Sequence, residues 1–166
     1  MKRVFVNKRF QKLLLEKEAN RTVSHQKIKT VGVISSEEIS KWIDISKEIK
    51  SIFDIDDVKV YSFKPASQKT EQKAHFFSEK SFGWQAQVKD AKLKAFLNEP
   101  FDLLIGYFNK NSLYTELAVL QSNASFKAGI SKVNQHLYDL EIAEFPKNID
   151  RFLEELKKYL QILQKL

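Results

Sequence analysis

Polar residues that could do chemistry fall at three places in this chain, each just after a short apolar run. Ser35-Ser36 follows TVGVI, Asn109-Lys110-Asn111-Ser112 follows LLIGYF, and Ser131 closes FKAGI. If the apolar runs are parallel strands, these residues stand at carboxyl ends of the sheet, where ligands of open α/β proteins bind. Ser35, Ser36, Asn109, Lys110, Asn111 and Ser131 are therefore the candidate pocket for a small anion. Hydroxyls, amides and a lysine near a helix start can hold phosphate. The neighbouring Glu37 and Glu38 would repel it. The chain has four glycines and no glycine-rich phosphate loop, so close backbone approach to a pyrophosphate has little support.

A second set of chemistry-bearing residues is cationic. The first 30 residues hold nine Lys/Arg and two acids, which accounts for the whole net charge of +7. Lys2, Arg3, Lys8, Arg9 and Lys12 lie in a segment of good helix formers. In the same segment Val6, Phe10, Leu13 and Leu14 recur at helical spacing on one stripe. The pattern predicts a basic amphipathic helix over 2–19. Such a helix suits an anionic partner: RNA or a ribonucleoprotein through phosphate contacts, or an anionic membrane surface.

The remaining reactive types are scattered. His25, His75 and His136 fall in separate polar stretches with no ligand spacing, so no metal is expected. The absence of cysteine removes thiolate chemistry and disulfides, and fits a reducing cytoplasm. No G-x-S-x-G elbow exists. Asp102 precedes its strand at the amino end, away from where catalysis is expected. No cofactor is implied, and the reading leans away from an enzyme.

The elements that must position these residues read as follows. Thr30–Ile34 and Val58–Phe63 are strands, joined by a helix running from Ser36 to about Phe53 with Ile39, Trp42, Ile43, Ile49 and Ile52 on its apolar face. Residues 64–90 are a long connection rich in aromatics, in which Phe82 and Trp84 serve as buried anchors or a binding surface. A short helix over Ala91–Leu97 ends at Pro100. The stretch from Phe101 to Ser131 is a strand–helix–strand unit, with strands at Leu103–Ile105 and Phe126–Ile130. Leu137–Ile142 is a last strand, and Ile149 to about Gln164 a last helix. Together these predict a three-layer α/β domain over 28–166, Rossmann-like or flavodoxin-like, with a mostly parallel sheet of about five strands. Residues 1–27 form a basic helical arm before it. No apolar run is long enough to span a membrane, and Lys8, Arg9 and Lys12 interrupt any secretory signal. A cytoplasmic location is expected.

The stretches KTVGVISSE, FDLLIGYFNKNSLYTELAVLQSNASFKAGIS, NQHLYDLEIA and ELKKYLQILQKL resemble a small bacterial family of uncharacterised proteins, a domain of unknown function of about this length. That resemblance implies the fold and no activity. Residues 101–131 also resemble the first Rossmann-like domain of heptosyltransferases, with a similar strand, polar corner, Leu/Ala-rich helix and "K-GI" strand. The glycine expected at the corner is replaced by Asn109 to Asn111, and the nucleotide-sugar-binding domain is missing. This implies a shared fold without shared chemistry.

Overall fold

The structure is a computed structural model that describes residues 1–22, 24–68, 75–110, 112–131 and 136–166. Its centre is β1 (Thr30–Ser36), whose Val31, Val33 and Ile34 are wholly buried. β2 (Asp57–Phe63) pairs on one side of it and β4 (Leu103–Tyr107) on the other, both parallel. β3 (Phe76–Phe77) extends the first side. β5 (Phe126–Ile130) and β6 (Leu140–Ile142) extend the second. The six described strands are thus parallel, in the order β3-β2-β1-β4-β5-β6. The chain reverses its direction of travel between β1 and β4. That is the dinucleotide-fold order rather than the flavodoxin one, and it places a switch point between those two strands.

The helices follow from capping and apolar spacing. In α3 (Ile45–Phe53) the Asp44 carboxylate accepts from the Lys47 amide at 3.1 Å. Ile45, Ile49 and Phe53 are buried at helical spacing, and Asp54 ends the helix in the left-handed region at φ 56°. α4 (Ala91–Asn98) is capped by Asp90, which accepts from the Lys92 and Leu93 amides at 2.9 and 3.1 Å. α5 (Leu113–Gln121) makes the crossover from β4 to β5, and α6 (Ile149–Ile162) follows β6 at the end of the chain. Because crossovers between parallel strands are right-handed, reversing the direction of travel puts helices on both faces. Accordingly α3 packs with α6, and α5 packs with α1 (Lys2–Ala19). The predicted stripe of α1 faces inward, with Val6, Phe10 and Leu14 buried in the one continuous core and Leu13 packed against it.

The structure departs from the sequence reading in three places. The helix expected from Ser36 to Phe53 is two, α2 (Glu37–Ser40) and α3, because Asp44 starts a new cap. Trp42, placed on the apolar face, lies in the break and is 81% exposed. The last strand is only Leu140–Ile142, since Tyr138 turns its ring onto the sheet instead of continuing the ladder. In the aromatic connection Phe82 is buried and Trp84 is not. At the amino end of β1 and β4, the Asp102 carboxylate accepts from the Lys29 and Thr30 amides at 2.9 and 3.1 Å, which fixes it as a strand tie.

Candidate functional site

At the carboxyl ends of β1 and β4 the structure brings Ser35, Ser36 and Lys110 near one another. Ser35 and Ser36 end β1 at the switch point. Ser35 Oγ is already engaged, donating to the Tyr107 carbonyl at 2.8 Å across to β4. Ser36 leads into α2 without a side-chain cap, and its Oγ is buried with no partner. Lys110 reaches the corner but pairs with Glu38 at 3.1 Å, while Glu37 pairs with Lys64 at 3.1 Å. The carboxylates that follow β1 therefore match the lysines beside them. Asn109 is exposed, Ser131 donates its amide to the Ile142 carbonyl at 3.1 Å, and Asn111 lies outside the described residues. A groove of about 760 Å³ beside this corner is lined by Glu37, Trp42, Lys64, His75 and Phe76. Among the described residues no group of His, Asp and Glu is arranged to hold a metal ion.

Under the first turn of α5 lies a polar cluster that sequence reasoning missed. Gly106 and Gly129 are paired neighbours on β4 and β5. The Tyr138 ring occupies the space their missing side chains leave, so a Cβ on either glycine would run into it. Tyr138 Oη is buried without a hydrogen-bond partner, and burial pushes the phenol well above its usual range, helped by the fields of Glu116 and Glu141. Glu116, buried on α5, is raised from 4.5 to about 7 by desolvation. The sign of its effect is fixed by linkage. The folded state holds the Glu116 proton more tightly, so this contribution to stability is full below about pH 4.5 and is lost as pH rises through about 7. Glu116→Gln is expected to leave the urea midpoint unchanged near pH 4.5. At about pH 8 it should raise stability by about 1–3 kcal/mol. Equal effects at both pH values would refute the assignment. The two glycines in successive buried strands were the only sequence signal of this cluster.

The cations of α1 divide by face. Lys2 turns inward and donates from Nζ to the Glu79 carbonyl at 2.9 Å. Arg3, Lys8, Arg9 and Lys12 are exposed, and among the described residues no carboxylate pairs with any of them. On the same outer surface Val4, Phe5 and Leu15 are also exposed, so the helix shows solvent a mixed cationic and apolar face. The Lys2 contact brings the 79–84 segment alongside. There Trp84 meets Phe5, with ring centroids 5.9 Å apart and planes inclined at 55°. Both rings stay about half exposed, at 54% for Phe5 and 52% for Trp84. The structure thereby joins the basic helix to the aromatic connection, two features that the sequence leaves 79 residues apart.

Fold and sheet order define an open, parallel α/β protein of the Rossmann-like class. Within that class the chain belongs to a family of unknown function, DUF6913, whose profile it matches over residues 2–163. No curated protein and no solved structure matches it, heptosyltransferases included. No helix among the described residues is long and apolar enough to cross a membrane.

Proposed function

We propose that this chain is a non-catalytic, cytoplasmic interaction protein that holds single-stranded RNA, free or within a ribonucleoprotein, on the outer face of α1. The observation that carries this reading is the half-exposed Phe5–Trp84 pair beside four cations that no described carboxylate matches. Phosphates attract Arg3, Lys8, Arg9 and Lys12 by charge, without reading sequence. Aromatic rings beside such a row give bases a surface to stack on. The strand-end corner offers an anion less, because Glu38 and Glu37 already match Lys110 and Lys64.

The test is fluorescence anisotropy of labelled single-stranded RNA with the full chain across a salt series. Log affinity should fall with log salt at a slope of about −0.7 for each phosphate contact. Replacing Lys8 and Lys12 by Gln should flatten that slope. Replacing Phe5 and Trp84 by Ala should weaken binding about tenfold or more at an unchanged slope. Affinity indifferent to all four substitutions would overturn the reading. So would tight sedimentation with phosphatidylserine vesicles in the absence of RNA binding. In that case exposed Val4 and Leu15 would be the apolar side of a lipid-surface helix.

A further inference from the structure

Where the carboxyl-terminal ends of α1 and α5 meet, a cavity of about 490 Å³ carries charge that the readings above do not use. Its cations are Lys17 and Arg21, on and just after α1, and Lys127 on β5; its carboxylates are Glu16 and Asp139. Most of these groups are engaged. Arg21 pairs with Asp139, Nε to Oδ1 at 3.4 Å, and donates to the Tyr138 carbonyl at 2.9 Å. Asp139 also accepts from the Lys127 amide at 2.8 Å. Lys127 is 3% exposed and donates from Nζ to the Val119 and Leu120 carbonyls at 2.6 and 3.2 Å. It thereby satisfies the last turn of α5, as a cation at a helix carboxyl terminus should.

Lys17 has no such arrangement. Its Nζ is buried, and among the described residues no acceptor oxygen reaches it. The group beside it is the Lys127 amine, within hydrogen-bond reach. The Lys127 contact offsets part of the burial cost for Lys17 but puts one amine against another, and an amine buried without an oxygen acceptor remains costly in the unliganded protein. Burial holds both below the usual lysine range, and for Lys127 the neighbouring Lys17 adds to that depression. A dianion on the cavity side of the two amines would give the Lys17 donor oxygen acceptors and favour the charged form of both lysines. The α5–β5 loop supplies further polar groups on the cavity wall in Ser122, Asn123 and Ser125. A tetrahedral oxyanion has enough acceptors to use several of these donors together with the two lysines. A single carboxylate has fewer and carries half the charge.

We propose that this cavity is a phosphate site, in which Lys17 and Lys127 grip the phosphoryl group of a small phosphomonoester or of inorganic phosphate and Arg21 lies at the rim. It does not depend on RNA binding by the outer face of α1, because Lys17 lies on the inner side of the helix.

Thermal unfolding and titration calorimetry of the full chain test it, comparing sodium phosphate with sodium chloride at equal ionic strength. Phosphate at about 10 mM should raise the melting temperature by several degrees over chloride. Lys17→Met should keep or raise the melting temperature of the unliganded chain, because it removes a buried donor without an acceptor, and should weaken phosphate binding about tenfold or more. Lys127→Met provides a second variant, with the same loss of binding expected. Glucose 6-phosphate and adenosine 5′-monophosphate, set against glucose and adenosine, separate a phosphomonoester site from one for bare phosphate. A response to the phosphorylated compounds and not to glucose or adenosine assigns a phosphomonoester, and a response to inorganic phosphate alone assigns bare phosphate; either supports the proposal. No stabilisation beyond chloride, or phosphate binding by Lys17→Met equal to that of the parent chain, overturns it.

Discussion

Gly129→Ala is expected to cost about 3 kcal/mol or more of folding stability, read as a fall in the urea midpoint at constant m-value, and Gly106→Ala a similar amount. The reason lies in how Tyr138 packs. A Cβ on Gly129 would sit against the Cζ end of its ring, and one on Gly106 against its hydroxyl. The ring cannot withdraw easily, because Tyr138 is buried and the peptide that follows it is held at both its carbonyl and its amide. Its carbonyl accepts from Arg21, and the following amide, of Asp139, donates to the Lys127 carbonyl at 2.8 Å. Gly83 is the control. A Cβ there meets the far end of the Gln87 side chain, which can swing away, so Gly83→Ala should cost under about 1 kcal/mol. Tyr138→Leu combined with Gly129→Ala should cost less than the two changes added together, by at least about 1 kcal/mol, because the smaller side chain vacates the space that the new methyl needs. Tyr138→Phe removes only a hydroxyl that has no partner, and is expected to be neutral or stabilising by about 1 kcal/mol. Strict additivity in the double variant would mean that the ring and the glycines do not compete for one space.

The same region shows what could be read from the residues alone. Runs such as TVGVI and LLIGY announce buried parallel strands, since both faces of a covered sheet are apolar. The stripe Val6-Phe10-Leu14 announces one side of α1 in the same way. Local pattern could not show where Tyr138 points. Leu137–Ile142 alternates well enough to be a strand, and only the notch made by the two glycines diverts its first half. Trp42 failed for a related reason. Its spacing fits one long helix, but the Asp44 carboxylate offers a new cap and splits that helix, leaving the indole in solvent. β3 is two residues long, too short for any period to register. Of the candidate site, the cations of α1 stood out as a charge asymmetry. Trp84 became part of that surface only through a contact between segments far apart in sequence. Lys127 was hidden within a strand, where a lone lysine among apolar residues gives no sign that a helix terminus waits above it.

Deleting residues 1–26 is expected to abolish cooperative unfolding, and this decides how the α1 surface has to be tested. Removing the helix is the obvious way to ask whether its charges bind RNA. Yet Val6, Phe10 and Leu14 are 0%, 1% and 6% exposed and belong to the same core as the sheet. Burying three such side chains is worth roughly 5–8 kcal/mol. A domain of this size has about 5–15 kcal/mol in all. The deletion also removes the Arg21 contacts with Asp139 and Tyr138, and the Ser24 carbonyl on which Lys165 Nζ rests. Urea titration followed by circular dichroism should show a broad, shallow transition for the deleted chain. The quadruple variant Arg3→Gln, Lys8→Gln, Arg9→Gln, Lys12→Gln should unfold like the parent, since those side chains are exposed and pair with no described carboxylate. A deleted chain with the parent midpoint would mean that α1 packs on α5 without stabilising it. With the expected collapse, loss of RNA binding on deletion would report the lost core as much as the lost charge. Only the four substitutions, which leave the inner stripe in place, separate what α1 does for the fold from what its outer face does for a partner.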